Sequence, residues 1–284
     1  YLSPASTYLD ARKAWVRAAT DLQYDVSSVE AAWAAVGVGR YRDNGDGTVT
    51  DTCSNLNWQQ SGDGKPRTWE EAKAYCAGIG WRLPRIDELE TIVDYSRHSP
   101  TIDPVFESVY VDAPFWSSST SAYVPGYAWY LYFYDGKPNF FSKTSLGYAR
   151  CVRGGPFWPF DPSSHLTATD HTVLDTLTHL EWQRTDDGVA RTMDEASSYC
   201  SGLELGGYDD WRLPAIQELE TIIDRTTFEP AASRVFECRS GGYWSGSIMP
   251  SSPDYAWTVY FDHGYAYCNF KTIFYYVRCV RGGP

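Results

Sequence analysis

No stretch of this 284-residue chain approaches the ~20 consecutive apolar residues that a membrane-crossing helix needs. Positive charge is scarce as well: 24 Lys and Arg stand against 36 Asp and Glu, giving a formal net charge of -12 and a pI near 4.8. Nucleic acid, anionic lipid and sulfated polysaccharide all require a positive face, so broad electrostatic attraction to them is excluded and only a local basic pocket is left open. No cysteine pair lies close in sequence and no cysteine-histidine spacing suits zinc. The five histidines, His98, His165, His171, His179 and His263, never recur at matching places and stand in no nucleophile motif, so no enzyme, metal or cofactor is expected. A basic-apolar leader is missing ahead of Tyr1, and the expectation is that a leader has been removed or that the chain is a piece of a longer protein.

What the chain does have is itself twice over. "VTDTCSNLNWQQ" (Val49 to Gln60) answers to "VLDTLTHLEWQR" (Val173 to Arg184), and "WRLPRIDELETIVD" (Trp81 to Asp94) to "WRLPAIQELETIID" (Trp211 to Asp224). "RCVRGGP" closes both copies, at Arg150 to Pro156 and Arg278 to Pro284. A repeat at this period divides the chain into an N-terminal segment, 1–38, and two domains, 39–156 and 157–284. With 43% hydrophobic and 16% aromatic residues, each domain can build an ordinary core.

Apolar positions Leu9, Trp15, Ala19, Leu22 and Val26, then a Ser27/Glu30 capping box, predict two helices in the N-terminal segment, packed on a domain or a partner. Each domain then opens on a β-hairpin around turn residues such as Asn44 to Gly47. Asp43, Asp46 and Asp51 do not match the twelve-residue calcium loop and read as turn chemistry. Capping boxes Thr68/Glu71 and Thr192/Glu195 predict a first helix, and Pro84 and Pro214 the entrance of a second. Within the second helix, Glu88 and Glu218 suit the positive end of the dipole and lie within reach of Arg82 and Arg212, so the repeated motif reads as scaffold and its carboxylates as structural.

Cys76 and Cys151 have counterparts in Cys200 and Cys279, a pattern that suggests bridges Cys76–Cys151 and Cys200–Cys279. Cys238 and Cys268 occur only in the second copy and form a candidate third pair, leaving Cys53 over as a free thiol or a link to another chain. Such a set suits an oxidising compartment, and the chain is expected to be secreted or displayed at a cell surface.

Alternation in "AWYLYFYDG" places Trp129, Leu131 and Phe133 on an inner face and Tyr130, Tyr132 and Tyr134 on an outer one. The second copy keeps the inner face, as Trp257, Val259 and Phe261, and changes the outer one to Thr258, Tyr260 and Asp262. The candidate ligand-binding set is therefore Tyr130, Tyr132, Tyr134, Asn139 and Phe141, with Tyr260, Asp262, His263, Tyr265, Tyr267 and Asn269, residues that combine flat apolar area with polar tips.

Hairpin, "LNWQ", capped helix with cysteine, "WRLPRIDELETIVD", "FWSSS", "YAWYLYF" and "RCVRG" together resemble the Lcl C-terminal domain family, found on secreted and surface bacterial proteins including collagen-like adhesins. The resemblance covers roughly residues 39 to 284 and implies an α+β fold: tandem C-type-lectin-like domains, each with two helices and small antiparallel sheets, and a helix-to-final-strand disulfide. The Glu-Pro-Asn or Gln-Pro-Asp triplets of calcium-dependent sugar-binding members do not occur, nor does the close cysteine pair of the formylglycine-generating enzymes. The expected function is adhesion to a glycan or protein ligand; the alternative is a structural subunit of an extracellular filament, with the N-terminal helices mediating self-assembly or attachment to a parent structure.

Overall fold

The computed structural model describes residues 40–52, 54–107, 110, 112–154, 165–176 and 178–282. The expected N-terminal helices and Cys53 lie outside the described residues.

The hairpin predicted from the turn residues pairs β1 (Tyr41–Asp43) with β2 (Thr48–Asp51), antiparallel. Asp43 accepts from the Gly45 amide at 2.8 Å and Asp46 from the Thr48 amide at 3.1 Å, while Gly45 and Gly47 take φ of +72° and +80°. These aspartates are thus spent on the turn, which glycine alone enters without strain. Strand β3 (Leu56–Gln59) and the closing β7 (Val152–Arg153) complete a four-stranded sheet in the order β1-β2-β3-β7. A second sheet follows the order β4-β5-β6, with β4 Pro114–Thr120, β5 Tyr127–Tyr132 and β6 Pro138–Ser142. Helices α1 (Trp69–Gly78) and α2 (Ile86–Glu90) lie between the two sheets in sequence.

The second repeat rebuilds the same plan. Strands β8 (Leu166–Ala168), β9 (Thr172–Asp175), β10 (Leu180–Gln183) and β14 (Val280–Gly282) form one sheet; β11 (Gly242–Ile248), β12 (Tyr255–Tyr260) and β13 (Tyr265–Phe270) form the other. Its helices are α3 (Met193–Ser201) and α4 (Ile216–Glu220). Two tandem α+β units of small antiparallel sheets result.

The repeated motif is scaffold in atomic detail. Arg82 grips Glu88 through two hydrogen bonds of 2.7 and 2.8 Å, and the same carboxylate accepts the Arg85 amide at 2.8 Å, occupying a helix-end donor. Arg212, Glu218 and Ala215 repeat the arrangement at 2.7, 2.6 and 2.7 Å. The helices are shorter than the apolar periodicity suggests, ending at Glu90 and Glu220, so Val93 and Ile223 reach the core from the following turn.

Disulfides Cys76–Cys151 and Cys200–Cys279 tie the first helix of each repeat to the segment entering its last strand. The expected third bridge does not form, and Cys238 and Cys268 are free thiols. Cys268 pairs across from Trp257 on β13, with Lys137 and Asp135 of the first repeat as charged neighbours; Cys238 precedes β11, beside Tyr243 and Arg278. Two disulfides indicate an extracellular or otherwise oxidising environment. Among the described residues, no helix is long and apolar enough to cross a membrane.

Each three-stranded sheet packs against other elements on both faces, leaving part of its edge strand exposed. Trp129, Leu131 and Phe133 enter a core that runs on into Trp257, Val259 and Phe261 of the other repeat. On the opposite face, Ala128 and Tyr130 pack with Trp69, Ala72 and Cys76 of α1, and Ala256 packs with Met193, Ala196 and Cys200 of α3. The repeats meet across an approximate two-fold relationship. Tyr95 Oη donates to Glu220 at 2.6 Å and its ring meets Trp257 edge-on; Arg225, at the position equivalent to Tyr95, donates to Glu90 and lies over Trp129.

Candidate recognition surface

The expected site residues fall on the hairpins β5-β6 and β12-β13 and on the turns that follow β5 and β12, with β6 and β13 at the edges of their sheets. Pairing of Tyr130 with Asn139 and of Ala128 with Phe141 puts Asn139, Phe141, Tyr130 and Tyr132 on one face, because opposed residues on antiparallel strands point the same way. The row is graded in depth. Phe141 is 40% exposed and stacks on Tyr130 at 4.7 Å, while Tyr130 itself is only 2% exposed. Tyr130 is therefore a core residue, a correction to the expectation that it is displayed, and the cause is the α1 helix lying on that face. Tyr132 is half-buried and Asn139 exposed. Tyr134 lies past the end of β5, 41% exposed, against His98 and apart from the row.

In the second repeat, Tyr260 opposes Tyr265 and Thr258 opposes Tyr267, so Tyr260, Tyr265, Tyr267 and Asn269 share a face. Tyr260 stacks on Tyr265 at 4.8 Å, and its hydroxyl shares a 2.6 Å hydrogen bond with that of Tyr275. Burial pushes the Tyr265 hydroxyl up to about 12 and raises that of Tyr260, so both remain neutral donors and acceptors. Tyr275 was not anticipated. Its ring fills the space that a Cβ on Gly242 would enter, 2.5 Å away; the equivalent pair in the first repeat is Pro114 and Gly147. Side chain and space have changed places between the copies, giving the second one an extra tyrosine.

Two of the expected residues face the other repeat. His263 stacks on Tyr123 at 4.4 Å, and Lys137 holds its ammonium 4.5 Å over the Tyr267 ring. Tyr267 still exposes half its surface, at 50%. Asp262 is half-buried and accepts from the His263 amide at 3.0 Å, which orients the turn between β12 and β13.

A further group was missed. Ile248, Phe270, Ile273 and Phe274 are 37%, 49%, 39% and 61% exposed, and Phe270 packs on Tyr255 at 4.1 Å. The first repeat has Thr120, Ser142, Ser145 and Leu146 at the corresponding places. The turn is otherwise the same: the Ser145 amide donates to the Ser142 carbonyl, and the Ile273 amide to the Phe270 carbonyl, both at 2.9 Å. The signal was present in the aligned repeats, as polar-to-apolar replacements at the ends of β11 and β13 and, for Ile273, on an unchanged turn, where alternation within a strand does not register residues.

Chemically, this surface offers aromatic faces for stacking and neutral hydroxyl and amide edges for hydrogen bonding. Among the described residues, no three His, Cys, Asp or Glu side chains converge to hold a metal ion.

The family model described as "Lcl C-terminal domain" matches residues 47–153 and again residues 171–281, and the chain belongs to that family, with two tandem copies. No curated protein matches the chain.

Proposed function

We propose that this member of the Lcl C-terminal domain family is a secreted or surface-displayed recognition protein, whose two lectin-like domains bind a glycan or protein ligand through aromatic residues carried on a common frame. The observation that carries the reading is the contrast between copies: the disulfide, the capped helices and the inner apolar face are shared, whereas the exposed residues of β6, β13 and the following turns differ. Conserving a frame while changing its exterior fits presentation of two different contact surfaces. The apolar cluster Phe270, Ile273 and Phe274 is a natural anchor, since exposed aromatic groups at the centre of a contact contribute most when water is excluded from them.

A C-type-lectin-like arrangement is supported by the disulfide joining the first helix to the last strand region in both repeats. The filament alternative draws on Cys53 and the N-terminal segment, which lie outside the described residues, so recognition is the better supported reading.

The test is a glycan and protein array probed with the intact chain and with the triple variant Phe270→Ser, Ile273→Ser, Phe274→Leu, which gives the second repeat the turn of the first. Loss of the array signal with an unchanged unfolding midpoint supports the proposal. Signals identical to those of the parent protein would remove the second-repeat turn from the site.

A further inference from the structure

Two carboxylates face one cation where the repeats meet. Glu90 of α2 is only 7% exposed in its side chain, and Arg225 of the second repeat, 8% exposed, grips it with hydrogen bonds of 2.9 and 2.5 Å. Glu220 of α4, the equivalent of Glu90, has no such arginine: the equivalent of Arg225 is Tyr95, whose hydroxyl donates to Glu220 Oε1 at 2.6 Å. The neighbours leave the charge uneven. The Trp129 and Trp257 rings wall the seam from β5 and β12, the Gly264 carbonyl takes the Arg225 Nε–H at 2.8 Å, and the Gly136 carbonyl lies 3.5 Å from the Tyr95 hydroxyl. Asp87 adds negative potential from α2. At the margin, Lys137 is paired with Asp135 at 2.9 Å, which leaves little net charge there.

We propose that the Glu90/Glu220 pair takes up a proton under mildly acidic conditions and that this uptake tightens the seam between the two repeats, which weakens again as the solution becomes alkaline. With both carboxylates ionised, one guanidinium serves two negative groups in a poorly solvated place; with one protonated, charge is balanced. Protonation demands no rearrangement, because a neutral Glu220 still offers Tyr95 its carbonyl oxygen. Burial, acting against Arg225, pushes Glu90 up to about 7, and burial together with the Glu90 charge raises Glu220 well above the usual carboxylate range.

The direction of the effect follows from proton counting. A carboxyl whose affinity for protons is raised by folding binds more of them folded than unfolded, so its stabilisation is complete below the ordinary value of 4.5 and is lost as pH rises through about 7. Folding therefore favours acid over this window, by on the order of 100-fold in the equilibrium constant for the whole shift.

The experiment is equilibrium unfolding of the full chain from pH 5 to pH 8.5, for the parent protein, Glu220→Gln and Tyr95→Arg. Glutamine copies the protonated carboxyl in size and hydrogen bonding, and arginine supplies the missing cation. The parent protein is expected to lose stability with rising pH, while both variants show a flattened profile, with Glu220→Gln holding its acid value at pH 8. Parent-like slopes in both variants would overturn the proposal, as would a parent profile that rises across this range.

Discussion

Tyr95 and Arg225 occupy equivalent places in the two repeats, and each reaches across to the glutamate of the other: Tyr95 to Glu220 at 2.6 Å, Arg225 to Glu90 at 2.5 Å. An approximate two-fold contact is thus made with unlike residues, which a duplicated chain can do and a symmetric pair of identical subunits cannot, since those must present the same residue twice. Arg225→Ala is expected to cost about 3–5 kcal/mol at neutral pH, because it leaves Glu90 buried without its cation. Denaturant unfolding checks this, and addition of Glu90→Gln to the same chain should recover part of the loss.

Tyr130 and Tyr134 separate burial from display. Tyr130 stands among Trp69, Trp116 and Cys76 at 2% exposure, whereas Tyr134 is 41% exposed. Tyr130→Ala should destabilise by about 3–5 kcal/mol, as expected for loss of a large buried ring. Tyr134→Ala should stay within about 0.5 kcal/mol. Equal effects on the unfolding midpoint would contradict the assignment of Tyr130 to the core.

Arg150 is 1% exposed and donates to the carbonyls of Gln59, Gln60 and Glu107, and Arg278 does the same for Gln183, Arg184 and Glu237. Arg150 fastens the end of β3, and Arg278 the end of β10, to the loop before the three-stranded sheet. Burial lowers Arg150 to about 10, which still leaves it charged at neutral pH. Arg150→Met keeps much of the volume but strands the carbonyls, at about 1–3 kcal/mol for each one left without a donor. Hydrogen exchange should report the loosening first at the amides of residues 60–62 and 107.

The cysteines differ in accessibility. Removing one disulfide by Cys76→Ser with Cys151→Ser, a sequence separation of 75, should cost about 4 kcal/mol by loss of loop closure. Burial pushes the Cys268 thiol up to about 12, and its side chain is 4% exposed. Under native conditions iodoacetamide should label half-buried Cys238 before Cys268, with peptide mass mapping as the readout. Preferential labelling of Cys268 would place it elsewhere than the seam.

Several features were legible in the linear chain because they are local or are spelled twice. The Thr68 and Thr192 capping boxes form as expected, with Glu71 and Glu195 each accepting the cap amide at 2.9 Å. Both repeat-matched disulfides form, since a cysteine kept at the same place in two copies marks a shared contact. The Cys238–Cys268 pairing lacked that support: both residues are private to one repeat, and nothing local says whether two such positions meet. In the surface set, Tyr134 is exposed as the alternation suggests and Tyr130 is not; Phe141, Asn139 and Tyr267 are exposed, while Phe274 and Ile273 escaped notice because turns carry no period.

The amino-acid order by itself determined that there are two frames, where their helices begin, which strand face is apolar and that the repeat-matched cysteines join, because each of these follows from neighbouring residues or from their repetition. Only tertiary structure decided that α1 covers the second face and buries Tyr130, and that Glu90 and Glu220 share one arginine. Those contacts join residues as much as 135 positions apart, and whether they form depends on how assembled surfaces meet, which no local pattern of polarity records.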